Sequence, residues 1–283
     1  MEWDREAEEL LTRAPRLVRP FVRRKVEEFA RREGGESVTG ALAQRAYEAV
    51  RGKQDADGMK PSQELITQLE TEAEQVAASD AFRTPHYQVH PCAGAVGCPR
   101  SLIPVREMAE QLAQELADSG FAEFLEQGLA GRPLLSHHRF QVAVAGCPNA
   151  CSQPQIRDFG VIGRARVEVD AARCTGCLKC VKACHEDAIT VTERVPGVDH
   201  DRCLGCGDCI RVCPSEALTF GKPAHEVVVG GKLGRHPRLA HREGLLSDLA
   251  EVTAAQHRVL DALLRHGKPG ERVGTLIERE GKL

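Results

Sequence analysis

The sequence is short of the features that tie a chain to single-stranded nucleic acid or to a bilayer. Aromatic residues make up 4% of its 283 positions, too few for a groove on which bases stack. No apolar run approaches the roughly 18 residues a membrane-spanning helix needs. Neither sign of charge dominates: the net value is −3, which provides no global field for nucleic acid or an anionic surface. The opening Met1-Glu2-Trp3-Asp4 is acidic and lacks an apolar core, so no signal peptide is predicted and a cytoplasmic location is expected. The remaining balance, 42% hydrophobic and 28% charged, is that of an ordinary soluble protein. The length suffices for two or three small domains with at least one good core.

Twelve cysteines break this ordinariness. They divide without remainder into three fours: Cys92, Cys98, Cys147 and Cys151; Cys174, Cys177, Cys180 and Cys184; Cys203, Cys206, Cys209 and Cys213. An even count also suits a disulfide framework. Here, however, the thiols fall in tight runs whose neighbours do not bridge pairwise without strain, and no export signal is read. Three four-thiolate clusters account for all twelve.

The first four lie in two Gly/Pro-rich loops, His90-Pro91-Cys92-Ala93-Gly94-Ala95-Val96-Gly97-Cys98-Pro99 and Gly146-Cys147-Pro148-Asn149-Ala150-Cys151-Ser152-Gln153-Pro154. Glycine lets backbone approach a bulky inorganic group, and proline fixes the loop beforehand. The run Phe140 to Ala145, with Phe140, Val142 and Val144 on one face, predicts a strand leading into the second loop. A C-x5-C and C-x3-C quartet admits an iron–sulfur cluster, a structural zinc site or buried thiols, although the spacing is looser than the usual zinc pairs. The Gly-Cys-Pro-Asn-x-Cys text resembles the cluster-binding half of the siroheme-dependent sulfite and nitrite reductases. That resemblance implies a [4Fe-4S] cluster on Cys92, Cys98, Cys147 and Cys151. Cys151 is then the catalytic thiolate shared with siroheme iron, and Asn149 lies beside the cofactor.

The other eight cysteines form two C-x2-C-x2-C-x3-C runs, Cys174 to Cys184 and Cys203 to Cys213, repeated after about 29 residues. Each ends in a strand-like tail, Ala188-Ile189-Thr190-Val191 and Ala217-Leu218-Thr219-Phe220. This is the bacterial two-cluster ferredoxin pattern, in which the fourth cysteine of each run ligates the other cluster. One [4Fe-4S] cluster is therefore expected on Cys174, Cys177, Cys180 and Cys213, and another on Cys203, Cys206, Cys209 and Cys184. Zinc rarely uses thiols in so compressed a run. His185 stands where proline is usual; it suits either a hydrogen bond to sulfur or a plain surface position, and the latter is preferred.

The remaining chain predicts α+β architecture. Residues 1–60 read as a small helical domain. Apolar Val18, Phe21, Val22, Val26 and Phe29 oppose Arg19, Arg23, Arg24 and Lys25, and a second short helix carries Leu42, Ala46, Ala49 and Val50 with Thr39 as its cap. The text around Trp3, Pro15, Val18-Arg19-Pro20-Phe21-Val22-Arg23-Arg24-Lys25-Val26-Glu27 and Val38-Thr39 resembles the small helical domain of a light-independent protochlorophyllide reductase subunit, which implies a tetrapyrrole nearby. The basic run 13–32 reads as a recognition patch or as a solvated face. Residues 52–61 read as a linker, and Ser62 as the cap of a helix with Leu65, Ile66, Leu69, Ala73 and Val76 inward.

The reductase-like domain is expected over 80–163 and 222–283, interrupted by a ferredoxin insert over 164–221. Its predicted elements are a strand at Tyr87-Gln88-Val89, a helix stripe from Val105 through Leu116 continued by Phe121, Phe124 and Leu125, and a strand over Asp158 to Gly163. Helices are expected at about Leu249 to Arg265, stopped by Gly267, and at about Val273 to Arg279. His137 and His138 precede the strand into Cys147, and a two-histidine metal site there is disfavoured because neighbouring residues on a strand face opposite ways. The strand ending at Val229 runs into a Gly-rich loop carrying Lys232, Arg235 and Arg238. This loop resembles the one after the insert in dissimilatory and anaerobic sulfite reductases, and its cations suit the carboxylate-rich siroheme. A dinucleotide loop is disfavoured because the G-x-G-x-x-G order is absent.

Taken together, these features predict three [4Fe-4S] clusters and siroheme reducing a small oxyanion, sulfite or nitrite. The electrons come from a donor protein, and a second copy or subunit completes the pocket. A substrate clamp is not legible: Arg83, Arg100, Arg139, Arg157 and Lys179 are available cations outside any motif. The rival class is a non-catalytic multi-cluster electron carrier, including one that serves tetrapyrrole metabolism. No membrane and no nucleic-acid partner is expected.

Overall fold

The computed structural model describes residues 1–12, 23, 26–27, 29–31, 35, 37–46 and 63–281, with backbone alone at 12, 63–66 and 70. The chain divides into two compact units, Met1–Pro61 and Ser62–Leu283.

In the first unit, β1 (Glu2–Trp3) pairs parallel with β2 (Ser37–Val38), and α1 (Arg5–Thr12) lies between them in sequence. Asp4 accepts from the Ala7 N–H at 2.8 Å and from the Gly40 N–H at 3.0 Å, so one carboxylate caps two helical segments. Residues 40–46 are helical, and Thr39 accepts from the Leu42 N–H at 3.3 Å, as its side chain predicts. Ala7, Ala30, Val38, Leu42 and Ala43 form the small core. Arg23 stacks over Trp3 and pairs with Glu8, so this member of the basic run is not a free surface charge. Sequence periodicity gave no sign of α1. Most of the helix expected from Val18, along with Ala49, Val50, the linker 52–61, Ser62, Leu65 and Ile66, lies outside the described residues or side chains.

The second unit is built on a five-stranded sheet. Strands β3 (Tyr87–Pro91), β4 (Phe140–Ala145) and β5 (Phe159–Arg164) run parallel. Two antiparallel strands, β10 (Ala224–Val229) and β11 (His241–Leu246), complete it. Central β4 is buried at all six positions, as expected of a strand covered on both faces. Its two faces differ in size. Phe140, Val142 and Val144 meet the helices in the main core, whereas the opposite face offers Gln141, Ala143 and Ala145.

The helical layer comprises α2 (Gln63–Ala77), α3 (Val105–Asp118), α4 (Phe121–Leu129), α7 (Leu249–His266) and α8 (Val273–Glu280). Met108, Leu112 and Leu116 of α3, one helical face, are each about fully buried and contribute roughly 1.5–3 kcal/mol apiece. Phe121 does not continue that helix. Gly120 adopts φ 75° and starts a new one, because a left-handed residue breaks the α ladder. Strand β11 was not anticipated: His241-Arg242-Glu243 is too polar to signal a strand, and pairing with β10 overrides that preference. The histidines 137 and 138 also differ from expectation. They lie in a 3₁₀ turn, Ser136–His138, with ring centroids 4.4 Å apart, and not on a strand.

Between β5 and β10 the chain leaves the sheet and returns to it. This excursion contains β6 (Val167–Val169) paired antiparallel with β9 (Leu218–Phe220), and β7 (Ile189–Thr192) paired antiparallel with β8 (Val195–Val198). Two short helices, α5 (Lys179–Ala183) and α6 (Asp208–Arg211), occupy equivalent places in its two halves. Its small core includes Cys180, Ile189, Cys209 and Leu218.

Candidate functional site

The first cysteine quartet gathers at the C-terminal ends of β3 and β4, where loops leave a parallel sheet. Cys92 follows β3 directly, and Cys147 follows β4 after Gly146. The Cys92 sulfur accepts from the Gly94 N–H at 3.3 Å and the Gly146 N–H at 3.2 Å. Gly146 thus joins both loops, and its carbonyl also accepts from the Leu102 N–H at 2.7 Å. Burial pushes the thiols of Cys92 and Cys147 up; Cys151 and Cys98 add to the rise in both, and Cys92 adds to that of Cys147. Thiolates brought this close repel one another, and a cationic iron centre would offset that charge. Among the four, Cys151 alone is exposed, and the Asn149 side chain donates to its sulfur at 3.1 Å. Ala150 and Gln153 hold φ 51° and 55°, a left-handed geometry that costs non-glycine residues energy and concentrates at functional loops.

The same loop is fastened from below. Asp158, 1% exposed, accepts from Arg272 at 2.8 Å, from the Gln141 N–H at 2.9 Å and from the Val273 N–H at 3.0 Å. A buried charge so fully satisfied locks β5 to α8. The basic loop joins this assembly: the Gly231 N–H reaches the Arg157 carbonyl and the Ala240 N–H the Gln155 carbonyl, each at 2.7 Å. Glycine is required at 231, where a Cβ would sit 2.4 Å from the Gln155 oxygen.

Of the three loop cations, Lys232 is buried and donates to Thr275 at 3.0 Å and Glu278 at 2.6 Å. Arg238 reaches the Gly274 carbonyl at 3.4 Å, and Arg235 is exposed. The structure therefore brings Lys232 and Arg238 to α8 and leaves Arg235 pointing to solvent. On the small-residue face of the sheet, His90 and Arg157 both contact the Gln141 amide oxygen, at 2.8 and 3.4 Å. Burial, reinforced by Arg157, holds His90 down at about 4, so this ring is neutral at pH 7. The buried Arg157 Nε has no partner among the described residues.

In the excursion, Cys174, Cys177, Cys180 and Cys213 line one cavity. Cys184, Cys203, Cys206 and Cys209 line another, together with Cys147, Pro148 and Asn149. The fourth cysteine of each run has crossed to the other run's cavity. The Gly205 N–H donates to Cys203 and the Ala188 N–H to Cys184, each at 3.3 Å. Burial, then Cys206, Cys203 and Cys184, pushes the Cys209 thiol up to about 12. Burial alone would raise Cys213 too, but N–H groups of Leu218, Ser215 and Ala217 and the Ser215 hydroxyl outweigh it and lower that thiol. Among the described residues no three His, Cys, Asp or Glu side chains converge as a single metal ion requires. The thiols surround spaces instead, and an all-sulfur donor set around a space suits an iron–sulfur cluster. His185 is exposed and lines the rim of the second cavity.

Arg164, Asp208 and Arg211 did not stand out in the sequence, and Arg100 had no role there. Arg100 meets Asp208 at 2.9 Å, and Arg164 donates to the Leu204 carbonyl at 2.6 Å. The available signal was the departure of the second run from the first: Asp208 replaces Lys179, a reversal of charge inside a repeat.

Residues 3–46 match the proto-chlorophyllide reductase 57 kD subunit family. A coenzyme F420-dependent sulfite reductase of Methanocaldococcus jannaschii is 32% identical over 195 residues, covering 67% of this chain and 28% of that protein. One subunit of the anaerobic sulfite reductase of Salmonella typhimurium is 41% identical over 54 residues, 19% of this chain and 16% of that one. The chain thus spans less than a third of the curated relatives it matches. Among solved structures, dissimilatory sulfite reductase I aligns with a TM-score of 0.48 at 19% identity, over 68% of this chain and 49% of that one. The NirA protein of Mycobacterium tuberculosis aligns at 0.38 and 18%, over 78% and 30%. In the described residues no helix is long and apolar enough to cross a membrane. Residues 85–282, well over half of the chain, match the nitrite and sulphite reductase 4Fe-4S domain, and the protein belongs to that iron–sulfur oxidoreductase family.

Proposed function

We propose that the chain is the cluster-bearing part of a siroheme-dependent reductase of a small oxyanion. Cys92, Cys98, Cys147 and Cys151 hold one [4Fe-4S] cluster, and the excursion holds two more as a ferredoxin-like relay. The observation that carries this reading is the convergence of the first quartet with one member, Cys151, turned to solvent. Three thiols anchor a cluster within the loops, and the outward one is free to share its sulfur with siroheme iron. Siroheme, when bound, supplies an open iron site at which the oxyanion is reduced.

The chain's own groups have separate tasks. The N–H donors on Cys92, and the Asn149 amide on Cys151, stabilise negative charge on sulfur and tune the cluster's potential. Arg235 is available to cofactor carboxylates, and Lys232 and Arg238 hold its loop against α8. His90, Gln141 and Arg157 offer a compact polar patch on the sheet face near the quartet. The names of the relatives favour sulfite over nitrite. A donor protein supplies electrons at the exposed end of the first run, around Cys177, and a second copy or subunit completes the pocket. The N-terminal unit's likeness to a protochlorophyllide reductase subunit fits a tetrapyrrole partner.

The second reading is a non-catalytic carrier with three clusters. It is favoured by Lys232, whose ammonium is taken up by Thr275 and Glu278 and not offered outward.

Anaerobic purification from a host supplied with siroheme distinguishes the two. The reductase reading expects about twelve irons and acid-extractable tetrapyrrole per chain, with an absorption change when sulfite meets the reduced protein. Cys151→Ala should abolish that change. Full iron without tetrapyrrole, and no reduction of sulfite or nitrite, leaves the carrier.

A further inference from the structure

We infer that Arg100, Asp208 and Arg211 form a latch that holds the cluster of the second run against the core cluster and makes it the last station before the core. This rests on the proposal that both cysteine sets carry [4Fe-4S] clusters. Asp208 lies between Cys206 and Cys209, and its Oδ1 accepts from Arg100 at 2.9 Å and from Arg211 at 3.2 Å. Arg211 also donates to the Cys206 carbonyl at 2.7 Å and the Arg100 carbonyl at 3.4 Å. Arg100 belongs to the loop that begins at Cys98, and two residues further on Leu102 bonds to Gly146, the neighbour of Cys147. One connected set of bonds thus runs from a ligand of the second-run cluster to both loops of the core quartet.

All three side chains are shielded, at 27%, 20% and 12% exposure. Charge-assisted bonds of this kind are about twice as strong as neutral ones and resist screening by salt. Arg211 is held from behind by the ring of Phe220, 5.5 Å away. Among the described residues nothing equivalent holds the first run: Lys179 and Lys182, in the places of Asp208 and Arg211, are exposed. The step served moves one electron. The second-run cluster is oxidised and the core cluster reduced, and no bond is made or broken. The three residues do not touch a reacting atom; they are positioning residues that fix the separation of the two clusters.

The test is Arg100→Gln, with Asp208→Asn beside it and Arg100→Lys as the conservative variant. Each is reduced with dithionite, counted for iron, and read by electron paramagnetic resonance. The latch predicts that Arg100→Gln keeps all three clusters but weakens the magnetic coupling between the core and second-run clusters. Coupling within the excursion should stay unchanged. Photoreduced electrons should reach the core about tenfold more slowly or worse, with partial rescue in Arg100→Lys. Three clusters with unchanged coupling and rate in Arg100→Gln overturns the latch and leaves the functional proposal standing. Fewer than three clusters in the unaltered protein overturns the functional proposal itself. Asp208→Asn sits among cluster ligands, so the outcome is decided by Arg100→Gln, whose change lies outside the second run.

Discussion

The two cysteine runs of the excursion share one cage and differ in where they are seated. Gly176 and Gly205 both adopt left-handed backbone, φ 72° and 66°. Asp187 and Glu216 match likewise at 49° and 52°, and Cys180 and Cys209 are both buried. Around this common frame the surroundings diverge. In the first run Cys177, Leu178 and Lys179 are exposed. In the second, Gly207 replaces Leu178 and is buried under Phe220, and Asp208 takes a core arginine. Repetition preserved what a cluster needs; substitution at a few flanking positions decided which copy faces the core. In the relay proposed above, the open run is the entrance and the seated run the exit.

Removing one buried ligand from each run tests that direction most severely. Cys180→Ala and Cys209→Ala should each cost about four irons per chain, and each should abolish donor-driven reduction of the core. Only Cys209→Ala should also erase magnetic coupling to the core cluster in dithionite-reduced protein. If Cys180→Ala erases it and Cys209→Ala does not, entrance and exit are reversed.

A milder pair probes the seat itself. A Cβ on Gly205 would lie 2.8 Å from the Ala165 oxygen and 3.1 Å from its nitrogen, both backbone atoms that cannot swing aside. The same loop is stitched there by the Ala165 N–H to the Gly205 carbonyl at 2.7 Å. Gly205→Ala should therefore destabilise the protein by about 1–3 kcal/mol. Gly176→Ala has similar backbone geometry but meets only the flexible Arg194 side chain, at 3.2 Å, so about 1 kcal/mol is expected. Denaturant titration of the two variants gives the order; equal losses would mean that the second run is not seated against β5.

Much of this contrast was legible in advance and some was not. Cysteine spacing is a local property, so the partition into fours could be read from it, and the ferredoxin pattern that the two runs resemble implied the crossing of Cys184 and Cys213. The same holds for β4, whose alternation survives because one face must take large side chains and the other small ones. Long-range pairs were invisible: Arg100 and Asp208 are more than a hundred residues apart, and neither is unusual where it stands. Asp158 and Arg272 hid for the same reason. Lys232 misled differently. A lysine in a Gly-rich loop suggests an anion outside the chain, but Glu278 of the same chain supplies the charge. Helical periodicity ran past Gly120 because Phe121, Phe124 and Leu125 keep the spacing while the backbone turns.

Exposure gives the smallest but most direct contrast. Thiolate ligands become alkylated once a cluster is oxidatively lost, and access sets the order. Cys177 is exposed, whereas Cys203 and Cys206 are half-buried and Cys209 is buried, with its thiol pushed up to about 12 and so poorly nucleophilic when freed. Under brief exposure to air with iodoacetamide, mass spectrometry should find Cys177 modified several-fold sooner than Cys206 or Cys209. Cys151, exposed in the core quartet, should accompany Cys177. Bound siroheme should then shield Cys151 while leaving Cys177 as reactive as before, because only the former thiolate is shared in the proposed centre. Earlier labelling of Cys206 than of Cys177 would mean that the second run opens to solvent in solution, and the assignment of entrance and exit would lose its structural basis.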